Sequence, residues 1–407
     1  MDKKKLRRIY VRYKNVLLND VVPFWLKNSI DENYGGFFSC LDRDGSIYNT
    51  DKSVWIQGRG VWMFSRLYNE LEKKKEWLEA AKSGYDFLVK HGFDDDGRMF
   101  FTLTRDGRPL QKRRYMFSET FAIIACAEYY RASGDEEALK RAISIYNLVI
   151  DLYKNPSKVA PKIIPETRAT KALALPMILL ATAQSLREID TNPIYNEIAG
   201  ELVETIFKDF VKVGEMALFE TVGVNGERLD SPQGRCINPG HSIETAWFLI
   251  HEGLHRNGKK IIDRALQILD WSLEIGWDKE YGGILYFIDI EGKPAEQLEW
   301  DMKLWWPHTE ALYATLLAYH ITGNKKYEVW YDKIHEWSFS HFEDKIYGEW
   351  FGYLHRDGTL ANSLKGSIWK GPFHLPRALL LILKLLEKIK NVNRGIYVNR
   401  NDTKRKS

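Results

Sequence analysis

Two histidines of this 407-residue chain stand in similar settings that suit proton transfer. His241 follows Asn238-Pro-Gly, a turn that proline and glycine keep out of a helix interior, and it begins an apolar helical pattern. Glu244 follows one turn later on the same face. His374 also follows a Gly-Pro turn, and it precedes Arg377 by three residues. Because imidazole titrates near neutral pH, each histidine suits proton transfer.

Charged side chains and aromatic rings also meet at the starts of three other helical patterns, in the segments 55–62, 117–121 and 298–310. The residues that these segments add as candidates for catalysis or substrate binding are Arg59, Glu119, Lys303, Trp305, Trp306, His308 and Glu310. A single histidine or carboxylate is more often structural, and the His241 segment also fits an ordinary helix start capped by Ser242. The candidates can act together only if the fold gathers them.

The spacing of apolar residues predicts a mainly helical chain. The predicted helices span 54–72, 117–131, 136–152, 172–186, 193–211, 261–275, 306–321 and 376–390. Aromatic segments between them end in turns typical of β-hairpins, with glycines at Gly45, Gly107, Gly226, Gly292 and Gly358. A period of about sixty residues holds one hairpin and two helices, and the double gap between Gly107 and Gly226 indicates a degenerate hairpin near residue 165.

Six such units predict an all-α fold: an (α/α)6 barrel with short β-hairpins at one rim, in a single domain over residues 1–390. Residues 391–407 are predicted to form a basic tail. Both chain ends are basic and leave an acidic body, which argues against a nucleic-acid partner. No signal peptide or membrane-spanning run is visible, and three widely spaced cysteines favour a reducing compartment, so we predict a cytoplasmic protein. No nucleotide-binding loop or metal-ligand spacing is present, so no metal is predicted.

Several long runs resemble the N-acylglucosamine 2-epimerase family, within a similarity that extends from about Gly35 to Leu386. The densest runs are 54–63, 103–109, 238–244, 297–308 and 347–353. Lys303-Leu-Trp-Trp-Pro-His308 is similar to the N-acylglucosamine branch rather than to cellobiose 2-epimerases or mannose isomerases. The resemblance implies an (α/α)6 barrel that interconverts N-acetyl-D-glucosamine and N-acetyl-D-mannosamine.

The resemblance implies a role for each candidate in that reaction. His241 and His374 would remove and return the proton on carbon 2 of the open-chain sugar, from opposite faces. Arg59 would stabilise the oxyanion on carbon 1, with Arg377 and Lys303 as alternatives. The remaining candidates would orient the histidines, bind hydroxyls or shape the sugar pocket, and they are Glu119, Glu244, Trp305, Trp306, His308 and Glu310.

The resemblance also raises questions of cofactor, assembly and alternative activity. ATP activates several members, but the segment 158–168 lacks the glycines that some of them carry there, which argues against ATP as an allosteric activator here. No cofactor is obligatory, and a homodimer is suggested only by the family. The alternatives are a mannose isomerase or a cellobiose or mannose 2-epimerase on the same scaffold. An (α/α)6 glycoside hydrolase using Glu119, Asp301 or Glu310, and a non-enzymatic binding protein, are further alternatives.

Overall fold

The computed structural model describes residues 1–161 and 163–402, with side chains described up to residue 389. This part of the chain contains fifteen α-helices. They are α1 Lys3–Val16, α2 Val22–Asn28, α3 Val54–Glu70, α4 Lys75–His91, α5 Phe117–Ser133, α6 Glu136–Lys154, α7 Pro165–Arg168, α8 Ala174–Arg187, α9 Ile194–Thr205, α10 Pro232–Arg235, α11 Pro239–His255, α12 Lys259–Gly276, α13 Trp305–Thr322, α14 Lys325–His341 and α15 His374–Asp402. All eight helices predicted from apolar spacing are present. Six have shifts of one or two residues at their ends, whereas α9 ends before the predicted residue 211 and α15 extends beyond the predicted residue 390.

Twelve of these helices form two concentric rings. The inner helices contact one another in the order α3, α5, α8, α11, α13 and α15, and α15 returns to contact α3. Each packs against its outer partner, which is α4, α6, α9, α12, α14 or α1 respectively. Burial explains this division: α13 is buried on all sides from Trp305 to Ala318, whereas α12 buries one stripe around Ile268 and Leu269. The closed double ring confirms the predicted (α/α)6 barrel.

Short antiparallel strands lie between the helices. They are β1 Cys40–Leu41, β2 Ile47–Asn49, β3 Lys52–Ser53, β4 Phe100–Leu103, β5 Pro109–Lys112, β6 Thr170–Ala172, β7 Val211–Lys212, β8 Ala217–Leu218, β9 Thr221–Gly223, β10 Cys236–Ile237, β11 Ile288–Asp289, β12 Lys303–Leu304, β13 Tyr353–Leu354 and β14 Leu360–Asn362. β1–β2, β4–β5 and β13–β14 are hairpins that turn at the predicted glycines Gly45, Gly107 and Gly358, whose φ angles of +89°, +93° and +88° favour glycine.

Two other predicted hairpins have different strand partners. β9 pairs with β6, and β11 pairs with β10, so each strand joins a segment earlier in the chain. The region near residue 165 has no hairpin of its own in the described residues. It contains a 3₁₀ turn at Pro156–Lys158 and the short helix α7. The departure from the repeat that the turn spacing predicts near residue 165 is therefore confirmed.

Three rim turns share the pattern Asp-x-x-Tyr-Gly and a set of charges around a buried aspartate. Each aspartate receives one lysine and one arginine, and we call such a set an Asp–Lys–Arg clamp. The clamps are Asp31 with Lys52 and Arg105, Asp278 with Lys303 and Arg356, and Asp344 with Lys365 and Arg43. Each clamp joins the turn after α2, α12 or α14 to the strand or loop before an inner helix and to a hairpin. The clamps therefore fix the rim on which the inner helices begin.

The last helix, α15, continues as far as Asp402. Residues 391–402, the first part of the predicted basic tail, therefore lie in the same helix as His374. Residues 403–407, the rest of that predicted tail, lie outside the described residues. Across the part of the chain that is described, no helix combines the length and the apolar character needed to cross a bilayer.

Candidate active site

The first turns of three inner helices bring the two predicted histidines to one aromatic ring. His241 lies in the first turn of α11, Trp306 in that of α13, and His374 begins α15. The Trp306 indole lies 5.2 Å from the His241 ring and 5.6 Å from the His374 ring, measured between centroids. The barrel therefore gathers residues that are more than one hundred positions apart in the sequence.

His374 belongs to a buried cluster of charged side chains. Its Nδ1 lies 2.8 Å from Glu310 Oε1, and Arg377 donates to the same oxygen at 2.7 Å and also to Glu244. Trp247 Nε1 donates to the other Glu310 oxygen at 2.9 Å. The carboxylate partner assigns the hydrogen to Nδ1, and Nε2 makes no hydrogen bond with any described residue.

The charge balance around His374 keeps the ring neutral. Burial and the neighbouring Arg377 guanidinium hold the pKa of His374 well below its usual range. The charge of Glu244 acts in the opposite direction but does not reverse this shift. A neutral imidazole whose Nε2 lone pair is open can accept a proton, so His374 has the properties of a general base.

His241 has a different carboxylate partner. Its Nδ1 lies 2.9 and 3.1 Å from the two oxygens of Glu220, and its side chain is 28% exposed. Glu220 pairs with no lysine or arginine in the described residues, so its full charge acts on the ring. Burial disfavours the imidazolium, but Glu220 and the more distant Glu244 together raise the pKa of His241 above its usual value. His241 therefore has the properties of a general acid.

Arg59 is a buried cation without a carboxylate partner among the described residues. Its Nη1 donates to the backbone oxygen of Trp369 at 2.9 Å, and its guanidinium carbon lies 4.2 Å from the centroid of Phe121. Its Nε makes no hydrogen bond. Burial and the charge of Arg377 lower the pKa of Arg59 to about 9, so the group remains charged at neutral pH. A buried, uncompensated guanidinium suits the stabilisation of an oxyanion.

Glu244, Glu310 and His374 place one ligand atom each within 4.8 Å of one another, a spacing that a metal ion could use. Arg377 donates to both carboxylates, so a guanidinium already neutralises this donor set. The same contact corrects the predicted role of Glu244: its direct partner is Arg377 rather than a histidine. We therefore assign Glu244 to holding Arg377, and Glu310 to holding Arg377 and orienting His374.

The structure corrects the predicted substrate contacts of Lys303 and Glu119. Lys303 is fully buried in a clamp, with its Nζ 2.9 Å from Asp278. Glu119 is also fully buried, and it accepts hydrogen bonds from the Arg98 side chain and from the backbone N–H of Met99 at 3.0 Å. Both side chains hold rim segments in place and do not reach the cluster around Trp306.

His308 is likewise a structural residue and not part of the predicted sugar pocket. It is fully buried, its Nε2 accepts the backbone N–H of Ile284 at 2.9 Å, and its Nδ1 donates to the Leu304 oxygen at 2.7 Å. Burial lowers the pKa of His308 to about 3, so the ring is neutral. Gln57 performs the same function in the first repeat, where its Oε1 accepts the backbone N–H of Phe37 at 2.7 Å.

Glu220 was the functional candidate that the sequence did not reveal. It lies between β8 and β9, in a segment whose apolar pattern predicts only a hairpin. The local pattern does not indicate an inward carboxylate, because neighbouring residues of an extended segment point to opposite faces and Phe219 is fully buried. The other predicted residues do lie in the cluster, since the Trp305 and His374 rings are 6.1 Å apart and Glu310 and Arg377 contact His374 directly.

Comparisons with known proteins agree with this arrangement. The family model described as N-acylglucosamine 2-epimerase matches residues 36–375. The chain is 39% identical to the N-acylglucosamine 2-epimerase of Bos taurus over 383 residues, which cover 91% of this chain and 90% of the bovine protein. It is 26% identical over 403 residues to the cellobiose 2-epimerase of Dictyoglomus turgidum, covering 94% of this chain and all of that protein.

Among solved structures, the cellobiose 2-epimerase of Bacillus thermoamylovorans B4167 superposes with a TM-score of 0.83 at 21% identity, covering 93% of this chain and 99% of that one. At this level of identity the superposition supports the barrel fold alone. The family model spans most of the chain and includes both histidines, and the bovine relative covers 91% of it. The chain belongs to the N-acylglucosamine 2-epimerase family.

Proposed function

We propose that this protein is an isomerase that interconverts N-acetyl-D-glucosamine and N-acetyl-D-mannosamine. The observation that carries the proposal is the pair of imidazoles at Trp306, each of which is held at Nδ1 by a carboxylate. The pKa of His374 is lowered and the pKa of His241 is raised. The bovine relative, whose name is N-acylglucosamine 2-epimerase, supports the choice of amino sugar. Inverting carbon 2 requires one group to remove a proton and another to supply one.

The first step is removal of the carbon-2 proton from the open-chain sugar. His374 Nε2 accepts the proton, and the electron pair of the C–H bond forms a double bond between carbons 1 and 2. The carbonyl electrons move to the oxygen on carbon 1, which becomes an enolate. Glu310 accepts the Nδ1–H hydrogen bond of the imidazolium that forms, and this bond becomes charge-assisted in the transition state.

The second step returns a proton to the other face of carbon 2. His241 begins as an imidazolium, stabilised by Glu220, and donates its Nε2 proton while the enolate returns to the aldehyde. Arg59 stabilises the enolate oxygen between the two steps, since its charge is not neutralised by a carboxylate among the described residues. The ring then closes, and the product differs from the substrate only at carbon 2.

The two histidines exchange roles in the reverse reaction. After one turnover His374 carries the proton and His241 is neutral, which is the state that the opposite epimer requires. Exchange of these protons with solvent restores the original state. Each turnover in D₂O therefore places solvent deuterium on carbon 2, provided that the new proton comes from an imidazole in equilibrium with water.

The proposal includes the setting in which this reaction takes place. The partner is a small neutral amino sugar, and Trp305 and Trp306 supply apolar surface against which a sugar can pack. We propose a cytoplasmic homodimer that needs no obligatory cofactor. The three free cysteines support the cytoplasmic location, and the family resemblance supports the dimer. Size-exclusion chromatography with light scattering tests the dimer, and assays with and without ATP test activation.

Incubation with N-acetylmannosamine in D₂O, followed by NMR at carbon 2, tests the proposed function. We expect N-acetylglucosamine to appear with deuterium at carbon 2. Mannose and cellobiose serve as competing substrates in parallel samples. Turnover of either of these in place of the amino sugar would replace the proposal with the corresponding isomerase or epimerase, and no deuterium uptake into any sugar would contradict it.

A further inference from the structure

Glu349 departs from the pattern that the other two clamp turns follow. After the shared Asp-x-x-Tyr-Gly, the next residue is Gly36 in the first turn and Gly283 in the second, with φ of +73° and +74°. In the third turn this residue is Glu349, with φ of +55°. Because a side chain is disfavoured in this left-handed region, the third turn retains strain that glycine avoids in the others. Strain that persists in a folded protein is a reason to look for function.

Glu349 is 1% exposed, and its side chain ends in a buried ion pair. Its Oε1 accepts a hydrogen bond from Lys370 Nζ at 2.9 Å, and its Oε2 accepts one from Trp25 Nε1 at 2.8 Å. The backbone N–H of Glu349 donates to Asp20 Oδ1 at 2.7 Å, which holds the strained residue in place. Lys370 is also 1% exposed and donates to the Lys365 oxygen at 2.9 Å. Glu349 thus fixes the position of the lysine.

Lys370 is close to the proposed base both along the chain and in space. It precedes His374 by four residues in the loop that leads into α15. Its Nζ lies 5.6 Å from the Trp305 ring, which in turn lies 6.1 Å from the His374 ring. The loop also rests closely on α3, since a Cβ added to Gly371 would lie 2.7 Å from Ile56. A shift of Lys370 would therefore move the start of α15 and the indole that supports His374.

We propose that Glu349 is a positioning residue for His374, acting through its buried pair with Lys370 and through Trp305. In the other two clamp turns, the glycine at this position leaves the lysine to pair with the clamp aspartate alone. The third turn adds a second lysine, and that lysine belongs to the loop of His374. The catalytic consequence rests on the proposed function, whereas the effect on the imidazole itself does not.

Glu349→Gln is the first test, because it removes the charge and keeps the size of the side chain. The matched control is Glu252→Gln, which removes a fully buried carboxylate that pairs with Arg187 at 2.9 Å and Arg256 at 2.6 Å. Glu252 lies eleven residues after His241 on α11, about 16 Å along the helix from the site. Both variants lose a buried ion pair, but only one of these pairs adjoins the His374 loop.

Deuterium exchange at carbon 2 is measured separately for each epimer. Because the two histidines serve opposite faces, we expect Glu349→Gln to slow exchange of one epimer at least tenfold more than exchange of the other. The ratio of the two rates should be unchanged in Glu252→Gln. An equal loss for both epimers in Glu349→Gln would show a general structural role and contradict the proposal.

Glu349→Gly combined with Lys370→Met separates strain from positioning. This double variant restores the glycine of the other clamp turns and removes both buried charges. We expect its Tm to equal or exceed that of the wild type, while the turnover number falls at least tenfold with little change in KM. Wild-type turnover in a stable double variant would contradict a positioning role.

Histidine ring NMR gives a readout that needs no substrate. The His374 ring signal is assigned by its loss in His374→Asn. We expect Glu349→Gln to shift this signal and leave the His241 signal in place, with no shift of either in Glu252→Gln. This result would stand even if the sugar proved to be different, and an unshifted His374 signal would overturn the positioning role whatever the reaction.

Discussion

The two histidines of the site have equivalent hydrogen bonds and opposite charge environments. In each, Nδ1 meets a carboxylate at 2.8 or 2.9 Å. The carboxylate of His374 is Glu310, which also binds Arg377, whereas the carboxylate of His241 is Glu220, which has no cationic partner among the described residues other than that ring. Burial and the charges of Arg377 and Arg59 lower the pKa of His374, whereas Glu220 raises the pKa of His241 despite burial.

This difference shows how one kind of motif can supply both a base and an acid. A carboxylate alone orients an imidazole and favours its protonated form. When an arginine compensates the carboxylate, orientation remains but the preference for the charged form is lost. His374 and His241 can thus start each turnover in opposite protonation states at the same pH. The predictions below test this division, in order of decreasing effect on activity.

The largest effects are expected from His374→Asn and His241→Asn. Each removes a proton-transfer group, so turnover should fall by about 10²- to 10⁴-fold. The comparison predicts opposite residual reactions: each variant should still exchange the carbon-2 proton of the one epimer whose face meets the remaining histidine. NMR of both epimers in D₂O measures this. Loss of exchange for both epimers in both variants, with intact folding by circular dichroism, would show that the two histidines do not act independently.

Arg377→Gln should make the charge environment of the His374 ring similar to that of the His241 ring. Glu310 would lose its compensating cation, and the pKa of His374 would rise. Because the base must be neutral, the acidic limb of the pH profile of kcat/KM should move to higher pH for the epimer whose proton His374 removes. Loss of charge-assisted hydrogen bonds worth about 1.5–3 kcal/mol corresponds to a further decrease of about 10- to 100-fold in rate.

The pH profile of Arg377→Gln is measured for both epimers and compared with that of Arg377→Lys. The lysine variant keeps the charge but not the geometry of the guanidinium, so it should keep the acidic limb near its original pH while losing rate. An acidic limb that stays in place in Arg377→Gln would contradict the view that Arg377 sets the protonation state of His374.

Glu220→Gln tests the charge environment of His241 and should have a smaller effect on activity than Arg377→Gln. The glutamine still accepts the Nδ1–H hydrogen bond, so the ring stays oriented, but the charge that raises the pKa of His241 is removed. The pKa should fall, and because the acid must be protonated, the alkaline limb of kcat/KM should move to lower pH. Activity below that limb should decrease by less than about tenfold, since orientation is retained. An unmoved alkaline limb would exclude Glu220 as the source of the shift.

The sequence was sufficient to predict the barrel, because hairpin glycines at a regular period and eight apolar helical patterns repeat along the whole chain. It also predicted His241 and His374 as site candidates, because each follows a Gly-containing turn at a helix start, and the barrel places both rings beside Trp306. It did not identify Glu220, whose partner is twenty-one residues away. The pairing of Glu244 with Arg377 was also not predictable, because it joins residues 133 positions apart. Contacts of this kind depend on the three-dimensional arrangement of the inner helices.

Lys303 and His308 show the opposite limitation. Both lie in the run that most closely resembles the N-acylglucosamine branch, and both are structural. A comparison with the first repeat argues against a catalytic role for either residue. Lys52 stands at the position equivalent to Lys303 and Gln57 at the position equivalent to His308, and they make equivalent contacts. Arg59 and Glu310, two residues further along each helix, differ between the repeats, and both belong to the site. Comparing repeats therefore separates the scaffold from the chemistry better than residue type does.

The smallest effect is expected from His308→Gln, which gives the fifth repeat the side chain that the first repeat uses. The introduced amide oxygen can accept the Ile284 N–H as Gln57 accepts that of Phe37, so turnover should stay within about twofold of the wild type. Stability should fall by about 1 kcal/mol, because the stacking of His308 on Trp337, with centroids 4.7 Å apart, is lost. Urea unfolding and the epimerisation assay measure the two effects. A tenfold loss of turnover in a stably folded variant would show that His308 contributes to the substrate site and is not equivalent to Gln57.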